Sequence, residues 1–170
     1  MLLSSQEDSM TKIIKEFKEK IIVGFFSIIV IIAVIALGSY NVKDLKEVKK
    51  AEETLNNLVE LRAALEKYYQ LTQSYPDLSK EGVKDNLQLL DYKDDKGKVI
   101  SFAKIYGHNS IPKTSGSEVS AASNIVYDTS EFTKGNNNGG WNYDFSGKTG
   151  EIHANLPYNV YSQGINWCEY

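Results

Sequence analysis

Gly147, Lys148 and Thr149 have the residue types and the order that end a phosphate-binding loop. In such a loop, backbone N–H groups hold the phosphates, the lysine reaches them and the hydroxyl binds magnesium. The motif also needs a glycine where this chain has Asn142, and a helix where it has the strand-like sequence EIHANL. We therefore exclude a nucleotide site at this position.

Metal binding is the second kind of chemistry that the residue types suggest. The acidic stretch at residues 91–97 lacks the alternate-position ligands of a calcium-binding EF-hand loop, so we interpret it as an exposed charged turn. His108 and His153 lie far apart, and neither has a Cys, Asp or His neighbour at ligand spacing. The sequence alone therefore predicts neither a zinc nor a calcium site.

The other reactive side chains are also better explained as structural. No cationic residue flanks Cys168, which favours a small buried or idle thiol over a reactive one. Serine, histidine and aspartate are present, but a catalytic triad is defined by geometry and not by composition. Aromatic side chains in short strands are more often core residues than a sugar-stacking surface. We expect no enzymatic activity and no cofactor.

Length and charge restrict the classes of protein further. The chain has 170 residues and a net charge of -3, which suits one small domain and gives no basic surplus for a phosphate backbone. Nucleic acid is therefore excluded as a partner.

One segment, residues 21–42, contains no charged side chain and is long enough as a helix to cross a hydrocarbon layer of about 30 Å. It is too long for the apolar part of a signal peptide and no small-residue cleavage site follows it, so we expect it to be retained. Lysines flank it on both sides and leave its orientation open. Because the long part after it looks like an exported domain, we place the segment before it in the cytoplasm.

The pattern after this segment predicts the elements that must position any functional residue. Apolar side chains spaced three and four residues apart predict an amphipathic helix up to Gln73, before the stop at Tyr75-Pro76. Short aromatic and β-branched runs follow, with a hairpin whose turn is Ser146 to Gly150. The predicted stripe consists of Leu45, Val48, Ala51, Leu55, Leu58, Leu65 and Tyr69, widened by Val59, Leu61 and Tyr68, and the predicted strands are 99–106, 124–128, 141–145 and 151–156.

The expected fold class is α+β, with the long N-terminal helix packed on a small antiparallel β-sheet of about four strands. The first half of this helix is expected to span the membrane and the second half to be amphipathic. The predicted organisation is a cytoplasmic leader or N-terminal segment (1–19), a transmembrane helix (20–42), an amphipathic helix continuing from it (43–73), a connecting loop (74–98) and an antiparallel β-sheet region (99–170).

Three stretches resemble the type IV pilin-like proteins, and most closely the pseudopilins of type II secretion systems. The segment IIAVIALGSY (31–40) is similar to the end of the pilin membrane helix, and LRAALEKYYQLTQSYPDL (61–78) resembles the pseudopilin helix end with its Tyr-Pro pair. GGWNYDFSGKTGEIHANL (139–156) is similar to the hairpin of many such proteins. The resemblance implies a pilin-like fold and a role in protein transport.

The resemblance also implies processing and assembly positions. Family members are cut after a glycine that precedes a methylated phenylalanine, and a glutamate follows at the fifth mature position. Here Phe17 follows Glu16 in one register, and Gly24-Phe25 provides the alternative cut site. In neither register does a glutamate occupy the fifth position, and Glu19 is the nearest carboxylate to the apolar segment. Gly38 stands where the family often has proline.

The resemblance further implies a structural subunit of a type IV pilus-like or pseudopilus filament, assembled through the hydrophobic helix. Its partners would be the membrane, further copies or other pilin-like subunits, and the secretion or pilus assembly machinery. The chain would lie in the inner membrane as a single-pass protein, with its second part periplasmic or extracellular, before joining a surface filament. A bound calcium ion is implied only by this resemblance. The alternative is a single-pass anchored binding module that recognises a ligand or a surface polymer.

Overall fold

The computed structural model describes residues 2–133, 135–136 and 138–170, and it describes side chains from residue 29 onward except at residue 41. The chain forms two units, Met1–Leu45 and Lys46–Tyr170. The first element, α1, is a helix over Leu2–Thr72. The prediction of an α+β protein with a long N-terminal helix is confirmed.

Within Lys46–Tyr170, α1 buries one stripe of side chains. The stripe repeats every three or four residues, as a helix packed on one face requires, and consists of Ala51, Thr54, Leu58, Leu61, Ala64, Leu65 and Tyr68. Leu45, Val59 and Tyr69, which were predicted to lie in the stripe, are 68%, 54% and 36% exposed. The buried face is therefore turned slightly around the helix, and it includes Thr54 because its Oγ1 accepts a hydrogen bond from the Ser115 backbone N–H at 3.1 Å.

The helix ends where the sequence predicts. Gln73 has a left-handed φ of 57°, which no continuing helix could contain, and it is followed by Ser74 and by the Tyr75-Pro76 pair. The segment predicted as a connecting loop at 74–98 contains two short 3-10 helices, Val83–Asp85 and Leu87–Leu90. These bury Val83, Leu87 and Leu90 in the core.

Five short strands form two sheets. β1 (Tyr92–Lys93) pairs antiparallel with β2 (Val99–Ile100), and their turn is the charged stretch predicted from the acidic residues. In the other sheet, the order is β3 (Val126–Asp128), β4 (Trp141–Tyr143) and β5 (Ile152–Ala154). The predicted hairpin is present, because β4 and β5 are antiparallel neighbours.

Two expectations for the sheet are wrong. There is no single antiparallel sheet of four strands among the described residues, because β3 and β4 are parallel. Parallel neighbours need a long crossover connection, and residues 129–140 supply it. The strand expected at 99–106 stops at Ile100, and a short helix, α2 (Phe102–Tyr106), follows it.

The packing of α2 explains why this segment is helical. Phe102 is fully buried, with its ring centroid 5.6 Å from that of Tyr68 on α1. Tyr106, one helical turn later, places its ring centroid 6.1 Å from that of Phe102. A strand would have pointed positions 102 and 106 to the same face but much farther apart, so it could not have made both contacts.

The core of Lys46–Tyr170 lies between the buried stripe of α1 and one face of the three-stranded sheet. Trp141, Tyr143 and Ile152 contribute from the sheet, and Tyr161 and Trp167 contribute from the last part of the chain. The rings of these last two residues meet edge to face at 5.4 Å between centroids. The Trp141 indole N–H donates to Pro112 O at 2.7 Å, so its one polar atom is satisfied.

Candidate functional site

Most of the processing and assembly positions suggested by the sequence cannot be placed. Phe17, Glu19, Gly24 and Phe25 lie outside the residues whose side chains the structure describes. Gly38 is within α1, and a Cβ added there would have no neighbour within 4 Å. No steric need for glycine exists at this position among the described residues.

An exposed apolar surface occupies α1 at residues 29–42, within the unit Met1–Leu45. Its side chains are 46% exposed at Ile29 and 66% exposed at Leu37, and they point around the whole helix. Ser39, a polar residue within this stretch, donates its hydroxyl to Ala36 O at 2.7 Å, which satisfies it inside the helix. The exposed members are Ile29, Val30, Ile31, Ile32, Val34, Ile35, Leu37, Tyr40 and Val42.

Among the described residues, no helix combines the length and the apolar character needed to cross a membrane. Residues 20–28, the first part of the predicted transmembrane helix, lie outside the described side chains.

The Tyr75-Pro76 pair is held by the β4–β5 hairpin. The Tyr143 hydroxyl donates to Pro76 O at 2.8 Å, and burial raises the pKa of that phenol. The Tyr75 ring stacks on Tyr69 at 4.6 Å between centroids. Its edge also occupies the space beside Gly150, where an added Cβ would lie 2.3 Å from the Tyr75 Cε1 atom. Two of the three stretches that carry the resemblance are therefore in direct contact.

Arg62 joins the helix to the same hairpin. Its Nε and Nη2 donate to Ile152 O at 3.1 and 2.8 Å, and Nη2 also donates to Tyr170 O at 2.7 Å. Burial lowers the pKa of the guanidinium, and the charge of Glu151 offsets part of this effect. An open groove of about 540 Å³ adjoins it. Because the guanidinium already donates hydrogen bonds to two backbone oxygens, we assign Arg62 a structural role.

The turn that looked like part of a phosphate-binding loop holds a carboxylate of the chain itself. Asp144 Oδ1 accepts from Gly147 N at 2.7 Å, and Oδ2 accepts from the Thr149 hydroxyl at 2.6 Å. A Cβ at Gly147 would lie 2.4 Å from Asp144 Oδ1, which explains the glycine. Lys148 has a left-handed φ of 63°. These residues therefore close the hairpin turn.

A second carboxylate fixes the same turn from the neighbouring strand. Asp128 Oδ1 accepts from the backbone N–H groups of Phe145 and Ser146, each at 3.1 Å, and Oδ2 accepts from the Ser146 hydroxyl. The bonds from Ser146 lower the pKa of this carboxyl. Because an ionised carboxylate accepts these bonds best, Asp128 stabilises the turn in its charged form.

The two histidines lie in different surroundings. His108 is exposed, with Nε2 3.9 Å from Glu60 Oε2. His153 is buried against the Phe132 ring, its Nε2 lies 2.8 Å from Glu151 Oε1, and its Nδ1 has no partner among the described residues. No group of three potential metal-ligating side chains occurs in the described part of the chain.

Cys168 is buried, as expected from the sequence. Its side chain is 2% exposed and its Sγ lies 3.4 Å from Leu156 O. Burial raises the pKa of the thiol, which lowers its thiolate fraction and its reactivity. The interpretation as a small buried thiol is confirmed.

A polar cavity of about 350 Å³ lies on the outer face of the three-stranded sheet. The sheet contributes Tyr127 and Asn142, which are neighbours in the parallel β3–β4 register. Asn155 follows β5 and completes the floor, and Thr129, Glu131, Thr133 and Asn136 line the wall. The lining residues come from three separate segments of the chain.

The chain matches no protein family, no curated protein and no solved structure.

Proposed function

We propose that the chain is a structural subunit of a type IV pilus-like or type II secretion pseudopilus filament, assembled through its hydrophobic N-terminal helix. The observation that supports this proposal most directly is the exposed apolar surface at residues 29–42. A helix that is apolar on every side needs an apolar environment, which lipid or other such helices provide.

The energetics favour a covered state for this surface. Fully burying one Leu, Ile or Val side chain contributes roughly 1.5–3 kcal/mol. Eight aliphatic or aromatic side chains from Ile29 to Tyr40 are each at least 46% exposed in the isolated chain. Lipid would cover them before assembly, and the helices of further copies or of other pilin-like subunits would cover them in a filament.

In a filament, the unit Lys46–Tyr170 would lie on the outside of the bundled helices and would have a mainly structural role. Arg62, Tyr143 and Asp144 could each take part in chemistry elsewhere, but here their polar atoms bind the chain itself. In this proposal the chain is not an enzyme and needs no cofactor. It would be a single-pass protein of the inner membrane, with residues 43–170 periplasmic or extracellular, delivered to the filament by the secretion or pilus assembly machinery.

The second candidate is a single-pass anchored binding module, in which the helix serves only to hold the second unit at the membrane. The polar cavity on the outer sheet face favours this function. The two candidates differ in one measurable respect. A filament subunit contacts other helices through residues 29–42, whereas the helix of an anchored module contacts only lipid.

Cysteine cross-linking in native membranes tests the proposed function. We expect Ile32→Cys and Ile35→Cys, at exposed apolar positions, each to form disulfide-linked dimers. The parent chain is the control, because its own Cys168 is buried. Lys67→Cys, on the exposed face of α1 in the second unit, is the matched positional control. Dimers from the first two variants alone would support a helix-mediated assembly.

Mass spectrometry of the chain from the same membranes gives the second readout. The proposal expects an N-terminus cut before Phe17 or before Phe25, with a methyl group on the new terminal residue. A chain that is neither cut nor cross-linked to itself or to a pilin-like partner would contradict the filament role and leave the anchored module as the better explanation.

A further inference from the structure

The outer face of the three-stranded sheet carries a buried amide that the fold does not use. Asn142 is only 5% exposed, yet its side chain forms no hydrogen bond with another described residue. Asn142 is among the residues that line the cavity, and its amide is not among the described side-chain atoms that lack both solvent and a partner, which are Ser120 Oγ and His153 Nδ1. An amide in this position is available to water or to a ligand in the cavity.

Asn155 lines the same cavity, but its side chain forms hydrogen bonds within the fold. Its Oδ1 accepts from Asn136 N at 2.9 Å, and its Nδ2 donates to Asn136 Oδ1 at 2.9 Å and to Gly139 O at 3.0 Å. These bonds hold the cavity wall on the sheet. The two asparagines therefore differ in role: Asn155 builds the cavity, and Asn142 presents two donors and one acceptor to whatever fills it.

The other groups in the cavity have a consistent chemistry. Tyr127 lies beside Asn142 on the same sheet face, and its hydroxyl forms no bond with another described residue. Thr129 keeps its hydroxyl near the backbone of Glu131, from whose N–H it accepts at 3.0 Å. The Glu131 carboxylate is exposed at the rim. The lining thus combines three amides, hydroxyls, one carboxylate and one aromatic ring.

We propose that this cavity binds a neutral polyhydroxylated ligand, such as one hexose unit of a polysaccharide. Adjacent hydroxyl groups of a sugar can donate to the Glu131 carboxylate and accept from the Asn142 amide, and the Tyr127 ring offers an apolar surface with a polar end. The volume of about 350 Å³ is at the lower end of the range for small-ligand sites. The carboxylate disfavours acidic sugars by charge repulsion.

This inference is independent of filament assembly, since the cavity lies within Lys46–Tyr170 and the assembly surface lies at residues 29–42. A chain that cross-links through its helix but binds no sugar would refute only the ligand site. A chain that binds sugar but never cross-links would refute only the filament role.

Saturation-transfer NMR on the full chain tests the site with maltotriose, cellotriose and chitotriose as probes. The chain is kept in dodecylphosphocholine, because a detergent with a sugar headgroup would compete. We expect signal transfer to the ring protons of at least one of these trisaccharides at millimolar concentration. Trigalacturonate, an acidic trisaccharide, is expected to give a weaker signal because of Glu131.

Two pairs of variants separate binding from folding. Asn142→Ala should weaken binding about ten-fold or more, whereas Asn56→Ala on the exposed face of α1 should not change it. Tyr127→Phe should weaken binding, whereas Tyr158→Phe, at a tyrosine that is 69% exposed, should not. Because Asn142→Ala could fail to fold, Tyr127→Phe and Glu131→Gln at less buried positions decide the question in that case.

No signal transfer from any neutral trisaccharide would overturn the proposal. It would also be overturned if Tyr127→Phe and Glu131→Gln both bound as tightly as the parent chain. Equal binding of trigalacturonate to the parent chain and to Glu131→Gln would contradict the role assigned to the carboxylate, and with it the preference for a neutral ligand.

Discussion

Leu37 and Leu58 lie on the same helix, yet one is 66% exposed and the other is fully buried. Around Leu58 the apolar residues form one stripe, and the sheet and the short helices of Lys46–Tyr170 share a core with it. Around Leu37 the apolar residues occupy every side, and no described side chain of the chain covers them. The first region therefore stabilises the fold of this chain, and the second is suited to contacts outside it.

Truncating a leucine to alanine should have very different effects in the two regions. Leu58→Ala removes a fully buried side chain and should lower the free energy of unfolding of the second unit by about 2–5 kcal/mol. Leu37→Ala should change it by less than about 0.5 kcal/mol, as is usual for exposed positions. Urea denaturation of the full chain in detergent micelles, followed by Trp141 and Trp167 fluorescence, measures both.

Similar losses of stability from the two variants would contradict this difference between the regions. They would mean that the apolar surface at residues 29–42 supports the fold of Lys46–Tyr170 directly. In that case the exposure of Leu37 could no longer be used as support for assembly through the helix.

The next effect concerns how the end of α1 is held by the hairpin. Gly150 and Gly164 have nearly the same left-handed φ, 68° and 70°, but different surroundings. A Cβ at Gly150 would lie 2.3 Å from the Tyr75 ring, whereas a Cβ at Gly164 would have no neighbour within 4 Å. Gly164→Ala should cost about 1–2 kcal/mol from the backbone alone. Gly150→Ala should cost a further 1–3 kcal/mol or so from overpacking.

Thermal unfolding of the two glycine variants in the same buffer gives the difference directly. Equal losses of stability would show that Tyr75 can move away from Gly150 at little cost. The contact between the Tyr-Pro pair and the hairpin would then be incidental to the stability of the second unit.

The sequence was informative about the fold where the signal is local. Proline at position 76 excludes a continuing helix, and α1 indeed ends at Thr72. Aromatic runs on either side of a glycine-containing turn predicted the hairpin, and β4 and β5 pair as expected. Each of these features depends on residues close together in the chain, so no knowledge of distant partners was needed.

The features that the sequence could not give depend on distant residues. The segment 99–106 has the composition of a strand, but contacts of Phe102 and Tyr106 make its second part a helix. The parallel pairing of β3 with β4 depends on how residues 129–140 cross over. For the same reason, neither the position of the Asn142 amide in the cavity nor the hydrogen bonds of Arg62 to the hairpin could be predicted from the sequence.

The smallest predicted effect concerns the pH dependence of stability. Residues 21–42 contain no carboxyl group, so acid sensitivity must arise elsewhere. The bonds from Ser146 lower the pKa of Asp128 in the folded chain. A lowered carboxyl pKa contributes stability that is fully present above the unfolded-state value of about 3.9 and is lost as the pH falls through the folded-state value.

We therefore expect Asp128→Asn to lower the free energy of unfolding by about 0.5–1 kcal/mol at neutral pH and by less below about pH 4. An amide can still accept from the two backbone N–H groups, but it lacks the charge that strengthens these bonds and the second oxygen that accepts from Ser146. Asp95→Asn, at an exposed aspartate, is the matched control. Urea denaturation at a series of pH values measures the effect, and a loss that did not shrink in acid would show that Asp128 acts without its charge.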